Sequence, residues 1–138
     1  VRPLPGAHLE LLTPASRARL FEGEFRVSPQ SDRMGYRLEG PSLELRAPVE
    51  LLSEAVVFGT VQLPPGGGPI ILMADRQTTG GYPRIGEVAS VDLPLLAQLK
   101  PADRVRFRPI SLEDAQKQYL AREQDLAQAR HAVTFLYR

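Results

Sequence analysis

Cysteine is absent from this chain of 138 residues. That removes disulfides, thiolate nucleophiles and zinc–thiolate sites together, and it fits a cytoplasmic protein that needs no covalent staples. Histidine occurs only as His8 and His131. Neither has a partner at ligand spacing, so packing or surface roles are expected for both and a metal site is not. Lysine is confined to Lys100 and Lys117. No sign of charge dominates: 17 basic against 16 acidic residues leave a net charge of +1, so neither a nucleic-acid nor a membrane partner is expected. No apolar run approaches the roughly 20 residues that span a bilayer. There is no GxxxxGK[ST] loop, and Gly66-Gly-Gly68 is flanked by Pro65 and Pro69 and followed by a strand-like run. It reads as a hairpin tip, because a phosphate cradle would need a helix N-terminus directly after it.

What is present is a chain of short alternating segments. The length is that of one domain with a real core. The sequence starts at Val1 and runs into a Pro/Gly-rich stretch, so residues 1–7 are expected to be a linker and the chain to be entered in the middle of a longer polypeptide. Strand-like alternation is expected at His8–Leu12, Glu24–Val27, Tyr36–Glu39, Leu43–Arg46, Val56–Leu63 with a bulge or bend at Gly59, Ile70–Met73, Glu87–Val91 and Arg104–Arg108. Thr13 followed by Pro14 marks a helix start closed by Gly23. Asp92 with Pro94 opens a short helix. Ser111 with Asp114 opens a long surface helix over residues 111–130 with a thin apolar stripe; Val133 to Tyr137 reads as a final strand or a tail. The row Arg104, Arg106, Arg108 reads as a solvated sheet face or a subunit edge, and Glu113 to Asp125 as a solvated helix face. Together these argue for a mainly β fold, an antiparallel barrel or sandwich with two or three peripheral helices.

Two loops carry more hydrogen-bonding equipment than a turn requires: Ser31-Asp-Arg-Met-Gly-Tyr-Arg37 and Asp75-Arg-Gln-Thr-Thr-Gly-Gly-Tyr-Pro-Arg-Ile85. Each sets an Asp beside an Arg and then supplies glycine and tyrosine. An arginine fork suits carboxylate or phosphate oxygens. Gln77 both donates and accepts, Thr78 and Thr79 add hydroxyls, and Gly80 and Gly81 allow close backbone approach. A cradle for a small molecule holding an N–C=O unit or an anion is one reading. The other is structural: Asp–Arg neighbours often pin a loop, and Gly-Gly often makes a turn.

Four stretches in consistent order carry a resemblance to a known family: Ser31–Gly40, Ser53–Pro65, Asp75–Ile85 and Asp92–Phe107. They resemble the allophanate hydrolase subunit 2 family, whose members include the 5-oxoprolinase C subunit, an antagonist of a sporulation-kinase inhibitor, and half of the carboxyltransferase domain of urea carboxylase. The one departure is Gly86-Glu87, where the family more often has small or apolar residues. The resemblance implies a cyclophilin-like antiparallel β-barrel and a missing N-terminal half as partner. It implies a subunit of an ATP-dependent lactam hydrolase that opens 5-oxoproline to glutamate with the A- and B-type subunits of 5-oxoprolinase, the isolated domain being inactive. The alternatives it leaves are a biotin-dependent carboxyltransferase served by carboxybiotin and a non-catalytic regulator that binds a kinase inhibitor. No cofactor is expected to be held directly by a motif of this chain; ATP is used by the complex. Carried over by position, Asp75 and Arg76 are the expected catalytic pair, Asp75 holding Arg76. Gln77, Thr78, Thr79, Gly80, Gly81 and Tyr82 are expected around a small amide or lactam substrate, with Asp32, Arg33 and Tyr36 as a neighbouring wall.

Overall fold

The computed structural model describes residues 1–137. The short strands join into one curled sheet of seven, all neighbours antiparallel. The strands that build it are β1 (Pro3–Pro5), β2 (Phe25–Val27), β3 (Gly35–Glu39), β5 (Thr60–Gln62), β6 (Ile70–Leu72), β8 (Arg84–Val88) and β9 (Arg104–Val105), in the order β1-β8-β5-β6-β3-β2-β9. A separate two-stranded flap pairs β4 (Glu54–Ala55) with β7 (Thr79–Gly80). Three helices lie outside the sheet: α1 (Pro14–Glu22), α2 (Leu93–Ala97) and α3 (Leu112–Leu136).

Alternation along the central strands divides the sheet into two faces. Leu38, Val61 and Ile71 point into a core that also takes Phe25, Val27 and Phe107, all at most 4% exposed. Phe25 meets Phe107 edge-on, with centroids 5.6 Å apart and planes at 66°, the geometry an aromatic quadrupole favours. The arginines on either side of Val105 face outward as expected, and Glu24 takes Arg104 at 3.5 Å and Arg106 at 3.1 Å.

The two ends of the curl are fastened together. The Val1 carbonyl accepts from the Arg108 N–H (2.9 Å) and the Pro3 carbonyl from the Ile110 N–H (3.1 Å), while the Val1 nitrogen donates to the Arg106 carbonyl (3.2 Å). The opening segment is therefore a strand and not the linker expected from its prolines. Arg2 and Gly6 bond to the β8 side, so Pro3 and Pro5 turn their missing N–H groups away from that ladder, which is where proline is tolerated in a sheet.

Other expectations are corrected in the same way. Residues 9–11 form a 3-10 turn, not a strand, because the buried leucines are Leu9 and Leu12, three apart and so on one helical face. Residues 43–46 make only a single bridge, Leu12 to Leu45. Their backbone bonds go to three other segments: the Leu43 N–H donates to the Gly67 carbonyl (3.0 Å), the Arg46 N–H to the Leu11 carbonyl (2.8 Å) and the Glu44 N–H to the buried Ser16 Oγ of α1 (2.8 Å), while the Glu44 carbonyl accepts from the Thr13 N–H (3.0 Å). Of the bulge or bend expected at Gly59 it is a bend, a turn at φ +97° before β5, and residues 56–58 do not continue the strand; a Cβ there would meet Leu93 Cδ2 at 2.8 Å. The register shift falls further on, where Val61 faces Gly86 but Gln62 faces Arg84, leaving Ile85 as the extra residue. β8 itself begins three residues before its expected start at Glu87.

The caps at Thr13 and Ser111 form as read, accepting from the Ser16 and Asp114 N–H groups at 3.1 Å each. α3 then runs unbroken to Leu136, absorbing the segment expected as a strand or tail. It docks through Ala115 against Ala89 and Ile110, and through Arg122, which donates to the Ser90 carbonyl at 3.2 Å. Asp92 does not cap α2. Its carboxylate takes the Arg2 side chain at 2.7 and 3.0 Å and the Arg2 N–H at 2.8 Å.

That bidentate pair staples β1 to α2. Burial alone would raise the Asp92 carboxyl, but the side-chain and backbone hydrogen bonds from Arg2 outweigh it and hold the group below the usual carboxylate range. A depressed folded value means the stabilisation is complete above the ordinary aspartate range and is lost as pH falls through the folded value. Asp92→Ala should lower unfolding free energy by about 2 kcal/mol at pH 7, short of the ~3–5 kcal/mol for a fully buried pair because Arg2 is one-third exposed. Chemical denaturation of both forms checks this, and the gap between them should shrink below about pH 4.

Candidate functional site

The face of the sheet away from the core is not left to solvent. Gly35 and Arg37 on β3, Ile70 and Leu72 on β6 and Gln62 on β5 all point outward, and the β4–β7 flap covers them. The space between is a cleft of about 470 Å³, within the usual size range of small-molecule sites. Gly35 makes the floor thin, since a Cβ there would come within 3.1 Å of Ile70 Cγ2.

The two loops singled out in the sequence are neighbours at its rim. Continuing the β3–β6 pairing, the Met73 N–H donates to the Met34 carbonyl (3.1 Å) and the Asp75 N–H to the Arg33 carbonyl (3.0 Å). Asp32, Gln77, Thr79, Gly80, Gly81 and Tyr82 line the cleft. Asp32 also shapes its loop, Oδ1 accepting from the Met34 and Gly35 N–H groups at 2.8 and 3.2 Å, as in an Asx turn. Tyr82 stands between this cleft and a wider groove of about 890 Å³ along residues 42–51.

Asp75, Arg76, Thr78, Arg33 and Tyr36 are not among the lining residues. The expected Asp75–Arg76 pairing is corrected: Asp75 pairs across the loops with Arg33 at 2.9 Å, and both side chains are well exposed. Arg76 lies on a tight turn, its N–H bonded to the Met73 carbonyl (3.2 Å). Its Nη1 folds back on the Ala74 carbonyl (3.3 Å), and its Nε is buried without a partner. The Thr78 carbonyl belongs to the flap, accepting from the Val56 N–H at 3.1 Å. Tyr36 fails as a wall of the cleft for a reason of period: it lies between Gly35 and Arg37, so it points to the core side. There it packs on the apolar cluster and its hydroxyl donates to the Leu99 carbonyl at 3.2 Å.

The same alternation brings in residues not singled out from sequence. Arg37 lines the cleft and enters no ion pair among the described residues. Gln30 and Ser53 contribute further polar groups. Gln62 is only 5% exposed and yet lines the cleft; its amide head opens to the cleft and is not sealed off without a partner, as Arg76 Nε is. The signal for Arg37 was its even spacing from Gly35, and for Gln62 a lone carboxamide in an otherwise apolar run.

Around the cleft the polar groups are tied down. Arg84 pairs with Glu54 and so ties the flap to β8. His8 is structural, its Nδ1 accepting from the Arg84 N–H at 2.9 Å. Glu87 takes the Thr60 hydroxyl at 2.9 and 3.1 Å, and Thr60 Oγ1 accepts from the Val57 N–H at the root of the flap. No group of three or more His, Asp or Glu among the described residues is placed to hold a metal, and none of the helices is long and apolar enough to cross a membrane.

Residues 1–109, the sheet and the whole cleft, match the family described as carboxyltransferase domain, subdomain A and B. The chain belongs to this carboxyltransferase family. Within it, the chain is 44% identical over 133 residues to the 5-oxoprolinase C subunit of Haemophilus influenzae, covering 96% of this chain and 43% of that protein. It is 43% identical over 117 residues to the protein of the same name in Escherichia coli, covering 85% and 38%. The chain thus spans about two-fifths of the length of these relatives. The carboxyltransferase fold is seen again in the urea amidolyase of K. lactis, with TM-score 0.83 at 23% identity over 90% of this chain and 8% of that one. It also appears in TTHA0988, with TM-score 0.63 at 37% identity over 78% and 21%.

Burial pushes the Glu87 carboxyl up, against the Thr60 hydrogen bond and the nearby Arg84 charge. A raised carboxyl favours the folded state most when protonated, so this group's contribution falls as pH rises through its folded value. Glu87→Gln should remove that slope. Thermal melts from pH 4 to about pH 8 should then show the variant gaining on wild type as pH rises.

Proposed function

We propose that this chain is the C-terminal domain of a protein of the 5-oxoprolinase C-subunit type. With its N-terminal half and with A- and B-type subunits it serves the ATP-dependent opening of 5-oxoproline to glutamate in the cytoplasm. The observation that carries this reading is the cleft under the flap. Three carboxamides (Gln30, Gln62, Gln77) and the hydroxyls of Ser53, Thr79 and Tyr82 surround a space of about 470 Å³, and Arg37 brings to it a cation without an ion-pair partner among the described residues. The likeness to the two bacterial 5-oxoprolinase C subunits supports it.

5-Oxoproline is a flat lactam carrying one carboxylate. Arg37 offers the fork for that carboxylate. The carboxamides hold the N–C=O unit in plane, and Gly80 and Gly81 let backbone approach the carbonyl, where negative charge grows as the lactam opens. ATP is the co-substrate of the assembled complex. Arg76, first expected as the anion clamp, takes no part in this reading; Asp75 and Arg33 hold the rim loops together.

A second reading is a biotin-dependent carboxyltransferase, favoured by the family itself and by a 29% identity over 121 residues to the putative urea carboxylase of Emericella nidulans. Its planar urea would suit the same carboxamides, and Arg37 would then face the carboxylate delivered by carboxybiotin, since urea carries none of its own.

The test is glutamate release from 5-oxoproline and ATP by the full-length protein with its A- and B-type partners. Arg37→Ala should lower kcat/KM by roughly 10- to 100-fold, the worth of a charged hydrogen bond. Arg76→Ala should stay within about 3-fold of wild type. Carboxyl transfer from carboxybiotin to urea with no glutamate formed would establish the second reading instead.

A further inference from the structure

Around β5 and the flap, one polar side chain opens to the cleft without a protein hydrogen-bond partner among the described residues, while its neighbours have theirs. Thr60, the other outward residue of β5, is satisfied by Glu87 and the Val57 N–H. Arg84 has Glu54, and Asp32 at the rim has two backbone N–H groups. The carboxamide of Gln62 takes part in none of the side-chain hydrogen bonds among the described residues, although the residue is 95% buried and reaches the cleft.

The surrounding backbone keeps room for it. A Cβ at Gly80 would collide with Gln62 Nε2, so the flap strand lies flat on the amide head only because residue 80 has no side chain. The register shift between Val61 and Gln62 re-aims the side chain at this point. On the neighbouring strand Gln62 faces Ile70, and Ile70 and Leu72 extend an apolar strip beside it.

We infer that Gln62 is the specificity-determining residue of the cleft, pairing edge to edge with an amide whose N–H and C=O lie on the same side. Nε2 donates to the ligand carbonyl while Oε1 accepts its N–H, and reversing the two ends of the carboxamide serves the opposite face of the ligand equally well. Open-chain secondary amides are held trans and present no such edge. Small lactams and ureas do. The apolar strip of Ile70 and Leu72 fits the ring methylenes of a lactam, which urea lacks. A carboxylate offers only acceptors, one of them facing Oε1, so the ring-opened product is rejected by the group that selected the substrate. The lactam assignment rests on the function proposed above; the pairing with a same-side N–H and C=O edge does not.

The test uses the full-length protein with its partner subunits. Calorimetric binding is measured for 5-oxoproline, for N-methyl-5-oxoproline and for the lactone 5-oxotetrahydrofuran-2-carboxylate, which keep the carboxylate but lose the N–H. Wild type should prefer the lactam by roughly 10-fold or more, as expected for a site left with an unpaired polar group by the analogue. Gln62→Met, of similar shape, should weaken 5-oxoproline by a similar factor and the two analogues, which keep only the carbonyl, by clearly less, so that the preference shrinks towards nil. Gly80→Ala, which displaces the amide head, should reduce the preference in part. The melting temperature of Gln62→Met should stay close to that of wild type, whereas a merely structural glutamine would lower it. Glutamate formation by wild type together with an undiminished preference in Gln62→Met overturns this inference and leaves the proposed function standing. Failure of wild type to bind 5-oxoproline, with Gln62-dependent preference for urea over tetramethylurea, overturns the lactam and keeps the pairing. Binding of none of these probes overturns both.

Discussion

Side chains along β3, β5 and β6 point alternately to the two faces of one sheet, and both the core and the cleft are consequences of that period. Tyr36, Leu38, Val61 and Ile71 on one face are closed in by Phe25, Phe107 and the helices. Gly35, Arg37, Gln62, Ile70 and Leu72 on the other are closed in by a two-stranded flap. Neither face can shift without the other, because a slip of one residue would carry Arg37 and Gln62 into the hydrocarbon and Leu38 and Ile71 into the cleft. The register that buries the core is the register that arms the site.

The flap depends on that frame and adds little of its own. Two residues on each strand give a short ladder, which would not stand alone in water. It is held by the turn at Gly59, by Arg84 reaching Glu54 and by Thr60 reaching both Glu87 and Val57. The loops at the rim are joined by backbone pairing and by the exposed Arg33–Asp75 bridge, which contributes modestly and is screened by salt. The cleft is therefore positioned by strands, and its chemistry is presented by strand and flap residues as much as by loops.

Much of this was legible in the residues. Thr13-Pro14 and Ser111 with Asp114 announce their helices because capping is local chemistry, and Pro64 to Pro69 announces a turn for the same reason. The two Asp-Arg loops do meet, and the family signatures do mark a curled antiparallel sheet. What escaped reading depends on partners far along the chain. Asp92 has the residue type and place of a cap, but Arg2, ninety positions away, offers a better hydrogen-bonding partner. Pro3 and Pro5 look like linker residues until Arg108 and Ile110 arrive on their other side. Arg76 has the chemistry of an anion clamp, and a tight turn at Met73 directs it elsewhere. Gln62 sits in an apolar run and shows its meaning only when Gly80 is laid over it.

The seam between the first residues and Arg106 to Ile110 sets the order of assembly. Its backbone bonds join positions 105 to 107 apart, a separation at which loop closure is entropically unfavourable until the intervening strands have already brought the ends near. Such a seam is the last stitch of the fold. During synthesis β1 must wait, unpaired, while nearly the whole sheet emerges, and until Arg108 leaves the ribosome the curl has an open margin on each side. Slow, late closure of this kind exposes edges to other chains. The charges of Arg104 and Arg106 beside this last margin disfavour such pairing while it is open.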